Sequence, residues 1–351
     1  MYNSIKPGEV WLDTKGERIQ AHGGSVLYFE GKYYWYGENK EGITGKTPFW
    51  HAGIRCYSST DLYNWTDEGV IIKPDLEDET SPLHPTAFLD RPHIIYNKET
   101  KKFVCWIKVM NKGGKMVILT SDNILGPYEI VDRWHKCVGM NVGDFDLATA
   151  PDGKAYCYFE RPHSELICAD LTEDYTSTTG YYSTHFPLPC PPYVREAPAH
   201  FIRNRKHYLI TSGTTGYLPN PSEVAVSDTW HGPFKVLGNP HPTDDTNTSF
   251  HSQVSSVFKV EGKKDLYIAV ADRWVPDHMD FEYEEYSGYY KDAFSGDPVL
   301  KEKADKNLFG KMGSDKSRNT SLANYVWLPL RFDGEMVYID WHDEWKIEDY
   351  E

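Results

Sequence analysis

Residues 19–39 read IQAHGGSVLYFEGKYYWYGEN, and the order of residue types in this stretch decides the fold. Val26 to Phe29 form a short apolar run, Glu30-Gly31-Lys32 supply a turn, and Tyr33 to Tyr36 form a second, aromatic run. Short β-branched and aromatic runs separated by a glycine turn predict two antiparallel strands rather than a helix. A polar residue, His22, stands at the head of the first strand.

Outward from this hairpin the same unit recurs along the chain. It returns as RPHIIYNKETKKFVCWIKV (91–109), DLATAPDGKAYCYFER (146–161), APAHFIRNRKHYLITSG (197–213) and QVSSVFKVEGKKDLYIAVADRW (253–274). The last unit is completed late by NYVWLPLRFDGEMVYIDW (324–341). A third strand often follows and ends in Ser-Ser-Thr-Asp or Ser-Asp, as in IRCYSSTD (54–61), VILTSD (117–122) and VAVSD (224–228). Four short strands per unit, repeated five times about every 50–70 residues, predict an all-β, five-bladed β-propeller. A long sandwich accounts for the strands but not for the repetition. One domain is expected over residues 1–351.

In a propeller the innermost strand of each blade runs along the central axis, so the strand heads converge. Those heads are His22, Asp90, Asp144, Glu196 and Gln253. One polar residue in a turn is unremarkable, but five in equivalent places, three of them carboxylates, bring like charges together at a cost. Such a cluster points to a ligand site on the axis.

Bulk properties narrow the ligand. The chain has 351 residues, a formal charge of −15 and 15% aromatic residues, including 11 Trp and 25 Tyr. The negative charge repels nucleic-acid phosphates and anionic membranes, whereas aromatic rings suit a neutral partner such as a sugar. No apolar stretch is long enough for a membrane helix. The first residues, MYNSIKPGEVWLDTKGERIQ, lack a basic segment followed by an apolar run, so a cytoplasmic protein is expected. The six cysteines are scattered without CxxC pairs and read as buried, reduced thiols.

The order SVLYFEGKYYWYGE, SSTDLYNW, GDFDLATAPDGKAY and REAPAHFIRNRKHYLI resembles the five-bladed-propeller glycoside hydrolases of family 43, over nearly the whole chain. The resemblance implies inverting hydrolysis, with Glu196 as general acid and Asp144 as the aspartate that adjusts its pKa; Asp146 stands two residues on. The first blade departs from the family, reading AHGG where many members carry an aspartate base. In this the chain is similar to the exo-β-1,3-galactanase branch, as it is in QAHGGS, YWYGENK, DRPHIIYN and HSQVSSVF…VADRW. That branch places a glutamine at the base position, which maps onto Gln253, and a glutamate where Asp90 stands.

The chemistry asks for a proton on the leaving oxygen and a water at the anomeric carbon. Glu196 must stay protonated near neutral pH, and an ionised Asp144 nearby would raise its pKa. Gln253 can hold a water but has little basicity; His22, with an ordinary pKa of about 6.5, and Glu38 are the other candidate bases. His22, Glu38, Asp90 and Arg91 are expected to touch sugar hydroxyls. Trp35, Trp106, Trp134, Trp274 and Tyr217 are either stacking platforms or blade core. DHMDFEY and WHDEW lack a metal-binding spacing, so no cofactor is expected beyond the structural Ca²⁺ that some relatives carry at the propeller centre. Residues 276–322 interrupt the fifth unit; a charged, Tyr- and Gly-rich insertion of this length is expected to shape the site or mediate self-association.

The function expected is an exo-acting, inverting β-1,3-galactosidase or galactanase that releases terminal galactose from oligosaccharides. An α-L-arabinofuranosidase or β-xylosidase of the same family is the nearest alternative. A non-catalytic sugar-binding propeller is the other, against which the pairing of Glu196 with Asp144 counts.

Overall fold

The computed structural model describes residues 1–280, 282–305 and 318–351. Among the described residues, twenty strands form five four-stranded antiparallel sheets, each ordered from inside to outside as the chain runs. Blade 1 holds β1 (His22–Phe29), β2 (Lys32–Glu38), β3 (Ile54–Ser59) and β4 (Thr66–Ile72). Blade 2 holds β5 (Leu89–Asn97), β6 (Lys102–Val109), β7 (Lys115–Ser121) and β8 (Glu129–His135). Blade 3 holds β9 (Phe145–Thr149), β10 (Ala155–Arg161), β11 (Glu165–Leu171) and β12 (Thr178–His185). Blade 4 holds β13 (Glu196–Arg203), β14 (Lys206–Ser212), β15 (Glu223–Ser227) and β16 (Lys235–Gly238). Blade 5 holds β17 (Gln253–Lys259), β18 (Tyr267–Arg273), β19 (Asn324–Asp333) and β20 (Met336–Ile339). The inner strands β1, β5, β9, β13 and β17 touch one another in a closed ring, so the expected five-bladed propeller is the observed fold.

Middle strands are buried on both faces, which explains their near-continuous apolar runs; in β6 every residue from Phe103 to Val109 is buried. The faces meet between blades. Tyr36 and Cys56 of blade 1 pack with Ile94, Phe103 and Cys105 of blade 2. Between blades 1 and 5, Trp11, Trp35, Trp65 and Trp327 form a cluster of tilted and edge-on ring pairs with centroids 4.5–5.8 Å apart. Ile5 pairs with Trp345 through two backbone hydrogen bonds, which ties the first residues to the last. The recurring Ser-Asp is a turn device: Ser59, Ser121 and Ser227 each accept, on Oγ, the backbone N–H two residues on. All six cysteines are free thiols, and all but Cys190 are buried.

Among the described residues, the insertion expected at 276–322 carries two α-helices, α1 (Tyr283–Phe294) and α2 (Pro298–Asp305). Residue 281 and residues 306–317 of it lie outside the described residues. Tyr283, Tyr286 and Tyr290 repeat at helical spacing on α1, and Glu282 and Glu285 form a capping box at its start.

Candidate active site

The inner strands begin with one local device. In blades 1, 2 and 4 the ladder slips between a head residue and the residue three further on: His22 and Ser25, Asp90 and His93, Glu196 and Ala199. The residue after each head has a positive φ: Gly23 at 58°, Arg91 at 52° and Ala197 at 48°. The third position is Gly24, Pro92 or Pro198, residues suited to a place that makes no ladder bond. Each bulge re-aims the head side chain toward the axis or toward a neighbouring blade. Opposite each head stands the tail of the second strand: Glu38 faces His22, Lys108 faces Asp90, Ser212 faces Glu196 and Asp272 faces Gln253. In blade 3 the N–H of Glu160 donates to the Asp144 carbonyl at 2.8 Å.

Heads and tails surround a cavity of about 410 Å³ whose polar wall is Glu38, Asp90, Arg91, Lys108, Asp144, Glu196 and Gln253. Lys108 Nζ lies 2.6 Å from Asp144 Oδ1, and Arg91 Nε lies 3.1 Å from Asp144 Oδ2. Arg91 also donates through Nη2 to Gln253 Oε1. Gln253 Nε2 donates to Ser212 Oγ at 2.8 Å and to Glu196 Oε1 at 3.3 Å. A continuous chain thus runs from Lys108 through Asp144, Arg91 and Gln253 to Glu196.

The two carboxyls that matter most are driven apart. Burial alone would raise Asp144, but Arg91 and Lys108 outweigh it and hold the group at about 2, ionised throughout the neutral range. Glu196 is raised well above the ordinary carboxylate value by burial, then by the charges of Asp144 and Glu160, with Arg91 and Lys108 opposing. Two carboxyls whose environments separate their pKa values are the mark of an acid and its charged partner. Glu38 is pushed up to about 7 by burial, against the pull of Lys40 Nζ at 2.8 Å. Glu160, behind Asp144, is also raised by burial to about 7. Asp146 reaches about 7 by burial; it accepts the His200 N–H at 2.7 Å and does not line the cavity.

Of the residues expected at the site, Glu196, Asp144, Gln253, Glu38, Asp90, Arg91, Tyr217 and Trp274 line the cavity, and two do not. His22 is 0% exposed and turns toward blade 5, with Nδ1 3.1 Å from Asp272 Oδ1 and its ring stacked on Tyr325 at 5.0 Å. Its expected sugar contact is therefore corrected to a tie between blades, and it cannot serve as a base from there. Trp106 is corrected in the same way: it is buried between blades 2 and 3, and its indole N–H donates to the Tyr175 carbonyl at 2.8 Å. Trp35 is likewise core, and Trp134, on the outer strand β8, packs against the core between blades 1 and 2.

Sequence reading missed Lys108, Trp50, Phe88, Met110, His163, Thr214, Tyr290 and Phe294 on the cavity wall. A lysine inside the apolar run FVCWIKV was a signal, since a buried charge requires a partner. Reading strand tails as well as heads would have found it. Trp50 has no counterpart in the repeat. Its indole N–H donates to Asp90 Oδ1 at 2.6 Å, and Lys40 Nζ holds its carbonyl at 2.9 Å. Phe88, Trp50, Tyr217 and Trp274 then form an arc of rings at successive centroid distances of 4.3, 6.2 and 5.0 Å.

Among the described residues no three His, Cys, Asp or Glu side chains are grouped to hold an ion. The positive charge among the strand-head carboxylates comes from Arg91 and Lys108, so the residues present do not fit a central Ca²⁺. Among the described residues no helix is long and apolar enough to cross a membrane.

Three comparisons bear on the identity of this arrangement. No curated protein matches the chain by sequence. Among solved structures it is similar to two family 43 β-1,3-galactosidases, each at 28% identity and a TM-score of 0.78. One match covers 99% of this chain and 65% of the relative, so the chain spans about two thirds of that protein's length. The other, solved with galactodeoxynojirimycin, covers 98% of this chain and 100% of the relative. An exo-β-1,3-galactanase from Phanerochaete chrysosporium, solved with β-1,3-galactotriose, shares the fold at 22% identity and a TM-score of 0.76, over 98% of this chain and 68% of its own. The model of glycosyl hydrolases family 43 matches residues 19–281. With three quarters of its length inside that match, the chain belongs to glycosyl hydrolases family 43 and is a glycosidase.

Proposed function

We propose that this glycosidase is an exo-acting β-1,3-galactosidase that removes terminal galactose from β-1,3-linked galacto-oligosaccharides with inversion. The observation that carries the reading is the polarised chain ending on Glu196: an ionised Asp144, clamped by two cations, linked to a half-buried glutamate that is held toward its protonated form. Glu196 donates that proton to the leaving oxygen, and the charge of Asp144 keeps it available at neutral pH. Gln253 is fixed at both ends of its amide, with Oε1 held by Arg91 and Nε2 by Ser212 and Glu196, so it presents a rigid polar group to a water. An uncharged amide positions water better than it takes a proton. Glu38 and Asp90, the other carboxyls on the cavity wall, are left to receive it. The Phe88–Trp50–Tyr217–Trp274 arc offers apolar faces to sugar rings, and the similarity to β-1,3-galactosidases supports galactose as that sugar.

Glu196→Gln tests the acid. For β-1,3-galactobiose, whose leaving group needs protonation, kcat should fall about 10²- to 10⁴-fold. For a dinitrophenyl β-galactoside, whose leaving group departs unaided, the loss should be much smaller. Equal losses on the two substrates, or none, would remove Glu196 from that role.

A further inference from the structure

We infer that helix α1 of the fifth-blade insertion is the leaving-group wall of the site, and that Phe294 is the ring on which the departing sugar rests. This extends the galactosidase reading and depends on it.

Four hydrogen bonds hold α1 in place. Tyr286 is fully buried and donates its hydroxyl to the Pro219 carbonyl, and Tyr290 Oη donates to the Thr215 carbonyl at 2.7 Å. Asn247 Nδ2 reaches Glu284 Oε1 at 3.0 Å, and the Tyr283 N–H reaches the Thr246 carbonyl at 3.2 Å. The two tyrosine hydroxyls fasten the helix over the segment that joins β14 to β15, and the other two bonds tie its start to the segment between β16 and β17, so α1 stands on blade 4 although it is inserted in blade 5. Blade 4 also carries Glu196, at the head of β13 and opposite Ser212 of β14. An acid that protonates the leaving oxygen must have the leaving group on its own side of the scissile bond. Glu38, Asp90 and Lys108, which come from blades 1 and 2, are left for the retained galactose.

Phe294 is the last residue of α1, lines the cavity and is 43% exposed. Its ring lies 4.9 Å from that of His163, which projects from the turn between β10 and β11 of blade 3. An aromatic left open inside a binding cavity, steadied on one edge by a neighbour, offers a face for the C–H side of a pyranose or for an aryl group. The leaving groups this wall accepts are therefore those whose first ring presents an apolar face.

The test compares kcat/KM for β-1,3-galactobiose with that for β-galactosyl fluoride, whose leaving group is too small to reach α1. In Phe294→Ala the galactobiose-to-fluoride ratio should fall about fivefold relative to the wild type, from loss of one ring contact. Phe294→Tyr, which keeps the ring, should hold the wild-type ratio. An unchanged ratio in Phe294→Ala, or the same drop in Phe294→Tyr, would overturn the assignment. Failure of the wild type to turn over either substrate would instead overturn the galactosidase reading, and this inference with it.

Discussion

Asp144 is the residue at which electrostatics and geometry separate. Its charge is the second cause, after burial, of the raised pKa of Glu196, while Arg91 and Lys108 act the other way. Asp144→Asn removes the charge that raises Glu196 and leaves two cations that lower it, so both effects have one sign. The basic limb of the pH–rate profile should move to lower pH, and a limb that stays in place would show that Asp144 does not tune Glu196. At this scale the legible residues were those in marked positions: Asp90, Asp144, Glu196 and Gln253 each precede an apolar strand. Lys108 was hidden because it lies within one. His22 was misread because its place in the repeat matches the others, whereas the Gly23-Gly24 bulge points its ring at Asp272 and Tyr325.

At the scale of the element, the bulge that opens β1, β5 and β13 sets where the head side chains go. Ala197 holds a φ of 48° with its side chain buried, a conformation that a β-branched residue resists. Ala197→Val should cost about 1–3 kcal/mol of stability in denaturant unfolding and displace Glu196, lowering kcat. Ala197→Gly, free of that restriction, should keep the register and most of the stability. Equal tolerance of the two substitutions would mean that the bulge does not position the acid. The hairpins were legible because their turns carry Gly, Asn and Asp between apolar runs, and the Ser-Asp endings proved to be side-chain-to-backbone turns. Helix α1 was not foreseen as a helix, since its tyrosines at helical spacing sit in a charged segment that reads as loop.

At the scale of the molecule, function depends on groups from separate sheets meeting on one axis. Lys108 of blade 2, Asp144 of blade 3, Glu196 of blade 4 and Gln253 of blade 5 are distant in sequence, yet they form one hydrogen-bonded chain in one cavity. The number of blades could be read from the repeats. That both faces of a middle strand look between blades, as Cys105 and Trp106 of β6 do on opposite sides, could not, and Trp106 was assigned to the cavity instead. One stereochemical outcome is required: Glu196 protonates the leaving oxygen, a water held by Gln253 attacks the anomeric carbon once, and the configuration inverts. Proton NMR of β-1,3-galactobiose during the first turnovers tests this most directly. The account predicts α-galactose as the first-formed sugar, with the β-anomer appearing only later by mutarotation. β-Galactose formed first, or galactobiose left intact, would contradict it.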